Sequence, residues 1–281
     1  TPGASGTGMS VGHVLTRSVR DSAIMLEATA GYEMGAPYGA NLPVTGFLAA
    51  TMNPPKPLRI ALNLSEPAVS LHPDVKRSVY AAAKLLVSLG HEVVEAAPGI
   101  DYEWLNETQN TLMVSAMAAW FDYIEATRGL PIAESDLEPM SHMIWRAGKS
   151  LEGTQVAAAL ESMHELGRIM GKFHEHYDVV LQPVTATPAP PLGAITYRDG
   201  DDLKSYTDRF KKVAAFTHLY NMTGQPSMSV PLGMSASGLP IGVMLSAAIA
   251  NDALLFALAA QLERTEPWFH RRPPIIQEIA V

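Results

Sequence analysis

The chain has 281 residues, a formal net charge of −8 and no cysteine, which excludes disulfides, thiolate metal centres and a cysteine nucleophile. Its 20 Lys and Arg against 28 Asp and Glu, with cations never more than two in a row, exclude a stand-alone polyanion-binding surface, so no nucleic-acid partner is expected. At 47% apolar and 17% charged it is too apolar for a disordered chain. No stretch approaches the roughly 18 uninterrupted apolar residues of a membrane span. The opening residues TPGASGTGMS carry neither the charged nor the apolar region of a secretion signal, so a cytoplasmic location is expected.

Residues 1–12, rich in Gly, Ser and Thr, read as a loop. Val14 to Gly31 reads as a helix capped by Thr16 or Ser18, with Val19, Ala23, Leu26 and Ala30 on one face. A Pro- and Gly-rich connector follows over 32–57. Leu58 to Leu62 is a short apolar strand, and Pro73 and Asp74 open a helix that carries Val75, Val79, Ala82, Leu86 and Leu89 and stops at Gly90. His91 to Glu95 reads as the next strand, and a strand, helix and strand of these lengths imply a parallel pair.

Residues 101–176 read as mostly helical and hold Trp104, Trp120 and Trp145; their last helix is expected over Gln155 to His176. Asp178 to Leu181 is a compact apolar run that predicts a strand buried on both faces. It enters a proline-dense loop from Pro183 to Pro191. Tyr206 to Tyr220 reads as one helix, Ser227–Pro231 and Leu239–Ser246 as two strands joined by a turn at 235–238, and Asn251–Asp252 as the start of a last helix through Leu262. The fold class predicted is α/β, with a mixed sheet covered by helices on both faces.

Complete catalytic motifs are missing. His164, His174, Glu175 and His176 lack the four-residue spacing by which helix histidines share a zinc ion, and they read as solvated histidines near a helix end. A metal-dependent hydrolase using His174 and His176 is the reading they would otherwise support. No G-x-S-x-G elbow occurs, and Ser227 and Ser229 read as ordinary strand serines. No phosphate-binding glycine loop is present either.

Six segments nevertheless resemble, in order, the amidase signature family. They are Leu15–Ala23 continuing to Gly31 (LTRSVRDSA…AG); Pro57–Leu62; His72–Pro98, ending LGHEVVEAAP; Tyr177–Pro190 (YDVVLQPVTATPAP); Asn221–Gly233 with Gly238–Val243; and Asp252–Glu263 with Pro267–Trp268 and Arg271–Pro274. Within that family the chain looks most like bacterial amidases and cyclic-dimer hydrolases. The resemblance implies hydrolysis of the carbon–nitrogen bond of a small-molecule amide through a Ser–cis-Ser–Lys triad, without metal or organic cofactor. The family's Gly/Ser-rich segment and its lysine helix are absent, and none of the eight lysines stands in a matching context. No catalytic residue is therefore assigned. The chain is expected to be the C-terminal part of a single amidase domain, divided into 1–56, a helix and wrapping connector; 57–98, a strand–helix–strand unit; 99–176, a helical pocket cover; and 177–281, the remaining strands and helix.

An active enzyme would then need a missing N-terminal catalytic portion or a partner chain, and a homo-oligomer is compatible with this reading. The alternative is a non-catalytic binding or assembly subunit that completes its sheet with another chain. Candidate substrate-binding residues are Thr185 and Thr187, at the carboxyl end of the apolar 178–181 strand where α/β folds gather ligands, and Asn221. The prolines around 183–191 equally suit a rigid loop, and Asn221, Gly224, Gln225 and Pro226 read first as a structural turn.

Overall fold

The computed structural model describes residues 5–36, 38–39, 42–65 and 69–273; the first residues of the expected 1–12 loop and Pro274 lie outside the described residues. The 1–12 segment contains a 3-10 turn at Ser5–Gly8. Helix α1 (Val19–Thr29) starts later than the periodicity predicts, because Ser18 accepts the Asp21 N–H and fixes the first turn there. Thr16 instead donates its hydroxyl to the Ser18 carbonyl. Inside the connector lies a one-turn helix, α2 (Phe47–Ala50), too short to show a period. It is pinned by Phe47, whose ring stands 5.7 Å from that of Phe256.

Strand β1 (Arg59–Leu62), helix α3 (Pro73–Ser88) and strand β2 (Glu92–Glu95) form the expected unit, with β1 and β2 parallel. Three long helices follow: α4 (Tyr102–Arg128), α5 (Pro139–Lys149) and α6 (Gly153–His174). Asp101 caps α4 by accepting the N–H groups of Glu103 and Trp104. Strand β3 (Val179–Pro183) is buried along its whole length, as the apolar run through Leu181 predicts.

The helix expected over 206–220 is two helices, α7 (Leu203–Ala214) and α8 (His218–Thr223). Asp202 and Ser205 bond reciprocally at the start of α7 and set its onset before Tyr206. Strands β4 (Ser227–Met234) and β5 (Pro240–Ala247) and helix α9 (Asp252–Thr265) complete the described elements.

The sheet has five strands in the order β2-β1-β3-β5-β4. β1 runs parallel to β2 and β3, while β5 runs antiparallel to β3 and β4. The sheet is thus mixed, and its alternating side chains sort two layers. Ile60, Leu62, Val179, Leu181, Val243 and Leu245 face α3 and α9, with α1 and α2 packed beyond. The other face meets α4, α6 and α8 through Met244, Leu105, Leu166, Met170 and Leu219.

His91 locks the first layer. Its Nδ1 accepts the Leu58 N–H at 3.1 Å, which leaves Nε2 to donate to the Gln261 amide oxygen at 3.0 Å. Among the described residues no helix is long and apolar enough to cross a membrane.

Candidate functional site

The second face of the sheet carries a polar row where a core would normally be apolar. Gln182 on β3 and Ser246 on β5 are 2% and 0% exposed. Burying such groups is costly unless each finds a partner, and these do. Asn63, just beyond β1, donates to the Gln182 side-chain oxygen at 3.1 Å and accepts the Ser65 N–H at 3.0 Å. The Tyr102 hydroxyl at the start of α4 bonds Asn63 and Ser65. On the other side, the Tyr220 hydroxyl bonds Ser246, whose Oγ lies 2.8 Å from that of Ser227. Thr223 and Gln225 pair beside them. Burial raises the pKa of both tyrosines, so at neutral pH each keeps its proton and does not act as a base.

The loop after β3 lies over the end of this row. Ala186 is fully buried, and its N–H donates to the Lys212 carbonyl at 2.9 Å while its own carbonyl accepts the His72 N–H at 2.8 Å. Thr185 donates its hydroxyl to the Thr187 carbonyl at 2.7 Å. The Thr187 hydroxyl has no hydrogen-bond partner among the described residues. Asn221 donates to the Met9 carbonyl at 2.8 Å and ties α8 to the turn at Ser5–Gly8. Met9 in turn packs into the apolar cluster that holds Ala186, Leu105 and Tyr220.

The three expected site residues thus lie in two places. The threonines are on the β3 loop, and Asn221 is on α8 facing the N-terminal turn. The next stretch of chain is fastened by Arg209, whose pairing with Asp201 lowers that carboxyl to about 2.

Sequence reasoning missed Asn63, Tyr102, Gln182 and Tyr220. One signal was available: Gln182 interrupts the apolar run of β3 at a position facing inward. Tyr102 and Tyr220 carried none, because a tyrosine on a helix reads equally as core.

The histidine cluster needs one correction. His164 and His176 are exposed as expected, but His174 is half-buried, with Nδ1 at 3.0 Å from the Tyr177 carbonyl and Nε2 buried without a partner. Burial holds its pKa below the ordinary histidine value. Among the described residues no group of three or more His, Cys, Asp or Glu is placed to hold a metal ion. The metal-dependent reading through His174 and His176 therefore has no donor set.

The mixed sheet lies between helical layers, and Asn63 and Gln182 are buried at the carboxyl ends of parallel β1 and β3, where α/β folds gather ligands, while Ser246 stands opposite Val180 toward the amino end of β3. The family model described as Amidase matches residues 4–256, and the chain belongs to the amidase signature family. It is 29% identical over 272 residues to the 6-aminohexanoate-cyclic-dimer hydrolase of Paenarthrobacter ureafaciens, covering 94% of this chain and 55% of that protein. The enzyme of the same description from a Pseudomonas species is equally similar, with the same coverage. The chain spans about half the length of these curated relatives. The solved structure of a 6-aminohexanoate cyclic dimer hydrolase superposes with a TM-score of 0.87 at 29% identity, covering 93% of this chain and 56% of that one. A bacterial aryl acylamidase of the amidase signature family shares the fold with a TM-score of 0.75 at 21% identity, covering 92% and 55%.

Proposed function

We propose that this chain forms the C-terminal part of an amidase that hydrolyses the carbon–nitrogen bond of a small, largely apolar amide through a serine acyl-enzyme. The observation that carries the reading is the family match over residues 4–256 in a chain half as long as its relatives. In such a reaction a serine oxygen attacks the carbonyl, the amine leaves with a proton, and water cleaves the ester. The nucleophile and its base come from outside these 281 residues.

This chain supplies the floor and wall of the pocket. The Tyr102–Asn63–Gln182 group stiffens the floor, and the β3 loop with Thr185 and Thr187 forms part of the wall. Thr185 braces the loop, and Thr187 offers a hydroxyl to the substrate. Asn221 holds the Ser5–Gly8 turn against the same apolar cluster. No metal or organic cofactor takes part.

The test is to produce this chain with the segment encoded upstream of it and measure amine release from the 6-aminohexanoate cyclic dimer and from a series of aliphatic anilides. Release by the combination and none by the chain alone is the expected result. No release from any of these amides by the combination would overturn the proposal, and release by the chain alone would overturn the placement of the nucleophile.

The rival reading, a non-catalytic assembly subunit, is favoured by one observation. Among the described residues β4 pairs only with β5 and is an uncharged edge, which leaves its Ser227–Val230 half open to another chain, while Pro231 and the register shift before Gly233 blunt the other half. An upstream segment lacking both a Gly/Ser-rich stretch and a lysine-bearing helix would decide for it.

A further inference from the structure

An open cleft of about 640 Å³ lies between α4 and α5, away from the polar row on the sheet. Asp122 on its wall stands twenty residues along α4 from Tyr102, which at helical rise is about 30 Å. The cleft's aromatic wall is Trp145, whose indole N–H donates to Asp122 at 3.1 Å. The ring is also fixed by Phe121 at 5.4 Å and by His142, stacked at 6.3 Å. Its orientation is therefore set before any ligand arrives.

The charges around this wall divide into committed and uncommitted ones. Asp122 is neutralised by Lys149, whose Nζ donates to it at 2.6 Å. Glu125 is held in place by accepting the Ile132 N–H at 2.8 Å through one oxygen, which leaves its charge unpaired. The Arg146 guanidinium and the Glu134 carboxylate both line the cavity. Neither has a side-chain partner among the described residues, and they do not pair with each other. Opposite charges left apart on one cleft match a ligand that carries both signs. An alkylammonium group is attracted by an indole face and by nearby carboxylates, and a carboxylate is bound by a guanidinium fork.

We propose that the α4–α5 cleft binds a zwitterionic ω-amino acid, with its ammonium between Trp145, Glu125 and Glu134, its carboxylate on Arg146 and its methylenes along Trp145 and Ile132. The proposal does not rest on the amidase reading, because its readout is binding and not hydrolysis.

Calorimetric titration of the 281-residue chain with 6-aminohexanoate, hexylamine and hexanoate tests it. The zwitterion is expected to bind about tenfold more tightly than either single-charge probe, the size of one charge-assisted contact. Arg146→Gln should bring 6-aminohexanoate down to the affinity of hexylamine. Glu134→Gln should weaken both amines and leave hexanoate unchanged. Equal binding of the three probes, no saturation with 6-aminohexanoate in the millimolar range, or an affinity untouched by both substitutions would each overturn the proposal. Both side chains are unpaired among the described residues, so neither substitution removes a contact seen there.

Discussion

The sheet body and the α4–α5 arm are built on different principles. In the body every residue of β3 is buried, and seven of the fourteen residues of α9 face inward. In the arm α5 buries only Met140, while Trp120 and Tyr123 stack on each other at 5.5 Å with more than half of each exposed. The body is held by area removed from water, at about 25 cal/mol per Å². The arm is held by a smaller apolar seam, Leu112, Val114, Ala118, Phe121 and Met140, together with the Trp145–Asp122–Lys149 bonds and one close approach at Gly148. Stability is therefore concentrated in the body, and the arm is free to carry shape and charge.

Truncation in the body should cost most. Leu258 on α9 is fully buried in the first layer, and Leu258→Ala is expected to cost about 3 kcal/mol. Urea denaturation should show this as a lower midpoint with an unchanged slope. Gly148→Ala comes next. An added methyl there would overlap the Val114 carbonyl oxygen and the Ala118 side chain, and backbone cannot yield as a flexible side chain does. The expected cost is about 2 kcal/mol, with faster amide exchange in α5 and unchanged exchange in β3. Equal loss of protection in both would show that body and arm unfold as one unit and would break the comparison.

The joint between the two regions gives a smaller effect. Asn63 stands at the end of β1 and bonds Tyr102 at the root of α4. Asn63→Ala leaves the Gln182 oxygen and the Ser65 N–H without this partner, and is expected to cost about 1.5 kcal/mol. If the arm is anchored here, Ser65 and the first turn of α4 should lose exchange protection while α9 keeps it.

Legibility in the sequence follows the same division. The body announced itself because burial on known faces imposes a period: α3, β3 and α9 fall within a few residues of their expected ends. Errors came where short-range chemistry outweighed periodicity. The Ser18 cap delays α1, and the Asp202–Ser205 pair advances α7. The helix expected over 206–220 is interrupted at 215–217, although Ala215 and Thr217 both keep right-handed helical dihedrals. The site was less legible than the fold. Its polar row joins Asn63, Tyr102, Gln182, Tyr220 and Ser246 from five separate segments, and no local spacing can reveal partners that only the sheet order brings together. The family's ordered segments were readable because each is a local string.

The mildest expected effect concerns protons. His218 opens α8 on the second face, with Nδ1 at 2.9 Å from the Ala214 carbonyl and Nε2 buried without a partner. Burial is the main cause that lowers its pKa below 6.5, with Lys211 adding to it and the Ala214 carbonyl opposing it. A lowered folded value means that the unfolded chain takes up a proton at a pH where the native chain does not. Stability must then fall as pH drops from about 6.5 through the folded value, and it gains nothing further above 6.5. His174, shifted in the same direction by burial, adds to the slope. Urea midpoints of the parent, His218→Gln and the His174→Gln, His218→Gln pair, compared between pH 7.5 and 5.5, should show the acid loss shrinking stepwise. Because the histidines lie on α6 and α8 and not on the helices of the first layer, Leu258→Ala should lower every midpoint while leaving that pH difference intact. A pH difference that vanished in Leu258→Ala instead would place the titrating groups in the first layer, against the two-layer division drawn from the sheet.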